Sequence, residues 1–149
     1  VAAVQPPHMT LDPGGPERDL GEERSRIMWP FATYEDRGVE QAFGTDSPIT
    51  AVTSMDVLYC AVTRQDPFTH EPAGGWLPGE RINAAEALRI YTAGSAVATG
   101  REGELGQIAP GYLADFVVLD RDITACDPSE IQGARVVATY VAGERVYER

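Results

Sequence analysis

The chain has 149 residues, and its 23 Asp and Glu outweigh 12 Lys and Arg to give a formal charge of -11. Every basic residue is Arg, with no basic cluster, so the chain is poorly equipped to displace counterions from a phosphate backbone and no nucleic-acid partner is expected. Its longest apolar runs are a few residues, too short to cross a membrane, whereas a hydrophobic content of 43% is ample for a folded core.

Residues 1–5 read as a short strand stopped by Pro6-Pro7, because proline has no N–H to offer a ladder. Residues 11–23 carry Asp12-Pro13-Gly14-Gly15-Pro16 and several charges, which is loop chemistry. A helix is expected within residues 26–37, starting near Pro30 and closed by Gly38. Residues 39–43 form a second strand that ends at Gly44, where glycine lets the backbone turn. Ser54 can cap a helix over residues 55–65, with Met55, Leu58 and Val62 on its buried face. Residues 66–78 are loop.

Asn83, with Glu86 three positions on, makes a capping box for a helix reaching Gly100, with Leu88, Tyr91, Ser95 and Ala98 as its buried stripe. Strand, helix, strand, helix, helix suits parallel β/α architecture. Beyond a boundary placed near Arg101 the character changes. Residues 115–120 hold a buried apolar strand, residues 135–142 and 145–148 a hairpin about Gly143, and residues 127–131 a turn.

Asp46, in Gly44-Thr45-Asp46-Ser47-Pro48, is the sharpest chemical feature. A carboxylate just past the C-terminal end of a parallel strand stands where β/α barrels place catalytic groups, able to ligate a metal or shuttle a proton. The same residue also suits a turn aspartate that bonds its own backbone. His8 has a similar station after the first strand and could contact substrate or metal, or serve structure alone. His70, in a Pro/Gly loop, reads as solvated. Cys60 and Cys126 lack a CxxC partner and read as core thiols rather than zinc ligands. No HxH or HExxH appears, and neither Ser47 nor Gly74-Gly75 sits in a nucleophile or phosphate-loop motif.

The run Gly106-Gln107-Ile108-Ala109-Pro110-Gly111-Tyr112-Leu113-Ala114-Asp115-Phe116-Val117-Val118-Leu119-Asp120 resembles the C-terminal signature of the metal-dependent amidohydrolase superfamily. Val4-Gln5-Pro6-Pro7-His8, Phe43-Gly44-Thr45-Asp46-Ser47-Pro48-Ile49, Ala61-Val62-Thr63-Arg64-Gln65 and Glu86-Ala87-Leu88-Arg89-Ile90-Tyr91-Thr92 are similar to consecutive blocks of its YtcJ-like branch, which includes N-substituted formamide deformylases. The closing Thr139 to Glu148 resembles that branch's terminal hairpin.

The resemblance implies an α/β fold: the C-terminal portion of a (β/α)8 TIM-type barrel over residues 1–100, holding strands seven and eight with their helices. Strands of a small β-sandwich would follow over residues 101–149. It implies that Asp46 is a metal ligand and proton shuttle, and that His8 contacts substrate. The implied reaction is hydrolysis of a small-molecule, non-peptide C–N bond of amide type by water activated on a divalent metal, zinc by preference. Histidines from earlier strands and a bridging lysine or carboxylate belong to that pattern and do not occur here, and the chain opens without Met on strand-like residues. A piece of a longer, cytoplasmic enzyme is therefore expected, inactive alone, with homo-oligomers allowed. The alternative is a non-catalytic interaction or assembly module.

Overall fold

Two short parallel strands, β1 (Ala2–Val4) and β2 (Gln41–Phe43), anchor the first half of the chain in a computed structural model that describes residues 1–149. They pair in register, with Val4 opposite Phe43. Parallel neighbours need a crossover that returns the chain to the same end. Here it holds a 3-10 turn (Pro6–Thr10), α1 (Gly15–Ser25) and α2 (Phe31–Asp36). All three residues of β2 are buried, as befits a parallel strand covered on both faces.

The segment expected as loop before residue 23 is a correction, because it contains α1. Gly14, at φ 75°, turns the chain into the helix, and Pro16 lies in the first turn, where a missing N–H costs nothing. Arg18 then pairs with Asp12 at 2.7 Å. A kink at Gly21 and a run of charges leave α1 without an apolar stripe, so no periodicity announced it.

α3 (Ser54–Thr63) is buried from Val57 to Thr63 on every side, rather than along one stripe. Around it a 15-residue core gathers Met9, Phe31, Phe43, Ile82, Ile90 and, from the last third of the chain, Ile123, Ile131 and Ala134. The helix expected from Asn83 starts with both bonds of the capping box, Asn83 Oδ1 accepting from Glu86 N–H at 2.9 Å and Glu86 Oε2 accepting from Asn83 N–H at 3.0 Å. It is not continuous. α4 (Ala84–Arg89) passes through one π-helical turn (Ile90–Gly94) into α5 (Ser95–Ala98).

The buried stripe is Ala87, Ile90, Gly94 and Ala96: the first three stand one position before Leu88, Tyr91 and Ser95, Ala96 stands two before Ala98, and Ala98 is exposed. Gly94 explains the choice: a Cβ there would stand 2.0 Å from the Gln41 carbonyl oxygen, so only glycine lets the helix meet β2 so closely.

An antiparallel sheet closes the chain, ordered β3 (Phe116–Leu119), β4 (Val136–Val141), β5 (Glu144–Glu148). Ala142 at φ 51° and Gly143 at φ 80° make the tight hairpin turn between β4 and β5. β3 was expected to be buried; instead Val117 and Val118 are 51% and 42% exposed, and all of β5 is exposed. A 3-10 turn at Pro128–Gly133 lays Ile131 on α3, with Asp127 capping it by accepting from Ser129 N–H. No helix is long and apolar enough to cross a membrane.

Candidate functional site

β1 and β2 run the same way and end side by side, so the residues that follow them lie at one edge of the sheet. Gly44 N–H donates to Val4 C=O at 3.1 Å, extending the pairing one residue beyond β2. The turn expected of Gly44 is made two residues later. Asp46 takes the left-handed conformation at φ 53°, whereas Gly44 does not, and a Cβ on Gly44 would meet open space. Aspartate is among the few non-glycine residues that tolerate this region.

The loop is held by its backbone, with Ile49 N–H donating to Asp46 C=O at 2.8 Å and Thr50 Oγ1 donating to Thr45 C=O at 2.6 Å. The Asp46 side chain is exposed. Three other aspartates do what a turn aspartate does: Asp66 accepts from Phe68 and Thr69 N–H, Asp122 from Thr124 N–H, and Asp127 from Ser129 N–H. Bonds from the Thr124 and Ser129 hydroxyls, and then these N–H bonds, hold the Asp122 and Asp127 carboxyls below the usual range; at Asp66 burial pushes upward and the bonds from Thr69 and Phe68 outweigh it.

His8 lies in the 3-10 turn after β1, where its N–H donates to Gln5 C=O at 3.0 Å. Its Nε2 is buried without a hydrogen-bond partner, an unusual state for an imidazole nitrogen. The ring lines a cavity of about 330 Å³ with Met9, Leu20, Met28 and Trp29. No residue of the Asp46 loop lines that cavity. The segment after β1 and the loop after β2 meet instead at a smaller hollow of about 170 Å³, lined by Pro7, Thr10, Ile49, Thr50, Asp56 and Asp66. Asp46 and His8 thus share an edge and not a cavity. The largest concavity, about 600 Å³ between Leu88 and β3, contains neither residue.

No three His, Cys, Asp or Glu side chains stand together as a metal-binding group. Asp46 offers one oxygen-donor side chain, so a metal ion at this edge would need its other ligands from beyond these residues. His70 is exposed, though its Nδ1 stands 3.3 Å from Tyr59 Oη.

The sequence reading gave Arg64 no role. It sits just past α3, fully buried, in the left-handed conformation at φ 58°. Its Nε donates to Trp76 C=O at 2.5 Å and its Nη1 to Trp29 C=O at 2.9 Å, while Nη2 has no partner. The guanidinium stacks over Phe31 at 5.1 Å and Trp76 at 5.4 Å. Burial pulls its pKa down to about 10, against the opposing pull of Glu80. The only signal in the sequence was an arginine two positions after the six-residue apolar run Val57 to Val62.

The Amidohydrolase family matches residues 1–147, and the chain belongs to that family. It is 36% identical over 87% of its length to N-substituted formamide deformylase from Arthrobacter pascens, and 34% identical over 87% to putative amidohydrolase YtcJ from Bacillus subtilis (strain 168). These stretches are 23% and 24% of the two relatives, so the chain spans about a quarter of their length. Among solved structures, an uncharacterized metal-dependent hydrolase from Pyrococcus horikoshii superposes with a TM-score of 0.70 at 27% identity, over 85% of this chain and 25% of that one.

Proposed function

We propose that this chain is the C-terminal part of a metal-dependent hydrolase of amide-type C–N bonds in small molecules. In that reading β1 and β2 are the seventh and eighth strands of a (β/α)8 barrel, and the antiparallel sheet beyond Arg101 is part of a β-sandwich. The observation that carries it is the state of Asp46: an exposed carboxylate, just past the C-terminal end of a buried parallel strand, that is not spent on capping its own turn. Family membership supports it. Asp46 would be this chain's ligand to a divalent metal, zinc in this reading, which when bound would lower the pKa of its water toward neutrality.

Asp46 takes up the proton of the attacking water on a carboxylate oxygen and returns it to the departing nitrogen. His8, which lines a cavity with Met9, Met28 and Trp29 and whose buried Nε2 has no partner within the chain, contacts the substrate. The name of the Arthrobacter relative makes N-substituted formamides the first substrates to try.

The test is Asp46→Asn in the full-length enzyme. Turnover should fall about 100- to 10,000-fold, the usual worth of a general acid–base group, with an unchanged melting temperature. A variant within threefold of the parent would end the assignment. His8→Ala should raise KM or lower kcat with metal content retained; loss of the metal would place His8 among its ligands instead.

A further inference from the structure

We propose that Arg64 is a positioning residue that fixes the indole wall beside His8 and thereby sets which N-substituents the substrate may carry. This rests on the hydrolase reading above.

Trp29 lines the cavity that holds His8, and Trp76 lines a neighbouring one of about 360 Å³ that also holds Glu17. Met9 and Pro16 border both, so the two cavities adjoin. The indoles meet edge to face with centroids 5.8 Å apart. Trp76 Nε1–H donates to Glu17 Oε1 at 2.7 Å, which ties that ring to α1.

Neither indole stands on a long regular element. Trp29 is a left-handed residue at φ 47° between α1 and α2, and Trp76 belongs to the loop that leaves α3. What orders them is the guanidinium behind them, which donates to both of their carbonyls. The tie to Trp76 is double, because Trp76 N–H also donates to Arg64 C=O at 2.8 Å. Gly75 lets the loop lie this close: a Cβ there would fall 2.2 Å from the Thr63 carbonyl oxygen.

Arg64 forms no ion pair, and Glu80 acts on it only from beyond that range. A desolvated charge is a costly way to fill space, and a hydrophobic side chain of similar volume would do so more cheaply. The planar fork, however, can hold two separate carbonyls while its faces stack on rings, and neither an apolar residue nor a lysine can do both. The arrangement points to orientation of the wall as the purpose of this residue.

The experiment uses the full-length enzyme with zinc restored and a series from N-methylformamide to N-benzylformamide. Arg64→Lys should raise the ratio of KM for the benzyl compound to KM for the methyl compound about tenfold, since small displacements near a site cost factors of this order or more. Trp29→Leu, which removes the wall and keeps Arg64, should move the ratio the same way.

A purely structural arginine predicts something else: kcat falling equally for all substrates as folded enzyme is lost, with the ratio unchanged. That result overturns the proposal. A second readout is fluorine NMR of 5-fluorotryptophan enzyme, with the two resonances assigned by Trp29→Phe and Trp76→Phe. Both should shift in Arg64→Lys, and resonances that stay in place overturn the clamp. A parent enzyme that hydrolyses none of the series overturns the hydrolase reading itself, and the resonances then still decide whether Arg64 holds the wall.

Discussion

β2 and β5 are both short strands, yet one is buried at every residue and the other exposed at every residue. Their surroundings explain this. β2 is parallel to β1, and the helical crossovers that parallel pairing requires cover its faces. The helix over residues 84–98, which follows β2, also comes so near that its contact residue must be Gly94. β5 is joined to β4 by a hairpin turn, which brings no helix with it, and Ala138 is the sole buried residue of that three-stranded sheet. The connection, more than strand composition, decides what is packed.

Four changes would break or sharpen this contrast. The largest effect is expected from Gly94→Val, which drives a side chain into the Gln41 carbonyl and should cost about 3 kcal/mol or more, read by denaturant unfolding. Ile131→Ala comes next. Ile131 is 1% exposed and joins the C-terminal segment to α3, so about 2 to 5 kcal/mol should be lost. A loss below 1 kcal/mol would mean that the two halves barely depend on each other.

Acid should act more gently, and in the antiparallel half its targets are three aspartates. The bond from Arg135 N–H holds the Asp120 carboxyl low, as the bonds from Thr124 and Ser129 hold Asp122 and Asp127. A lowered folded pKa means that stability is present above the ordinary value of 3.8 and is lost as pH falls below it through the folded value. Carboxyl carbon shifts followed by NMR should therefore show these three aspartates protonating below pH 3.8, with the sheet amides moving alongside. The smallest effect is reserved for Val146→Thr on β5, where 60% exposure predicts a change within about 0.5 kcal/mol.

Much of this was legible. The proline pair after β1, the capping box at Asn83 and Glu86 and the Ala142-Gly143 hairpin are local chemistry, and local chemistry is written in neighbouring residues. α1 was hidden because it is stabilised by charge and capped by glycine, with no apolar face to betray it. The 84–98 helix was visible but its face was not, because only the distant Gln41 carbonyl explains why Gly94 must face β2.

The site divides the same way. Asp46 could be picked out by its place after a strand, whereas the left-handed turn at Asp46 rather than Gly44 could not. Arg64 was invisible as a functional residue because its partners are carbonyls 12 and 35 positions away, and backbone acceptors leave no mark in sequence.

Cys60 lies within α3 with no exposed surface, and burial pushes its thiol well above the usual range; Cys126 is half-buried at the edge of the core, in the segment between β3 and β4. A thiol reagent attacks only the thiolate it can reach. The two cysteines therefore act as timers of unequal length. Labelling at Cys126 would record brief local openings of the outer segment, and labelling at Cys60 would wait for the packing around α3 to come apart.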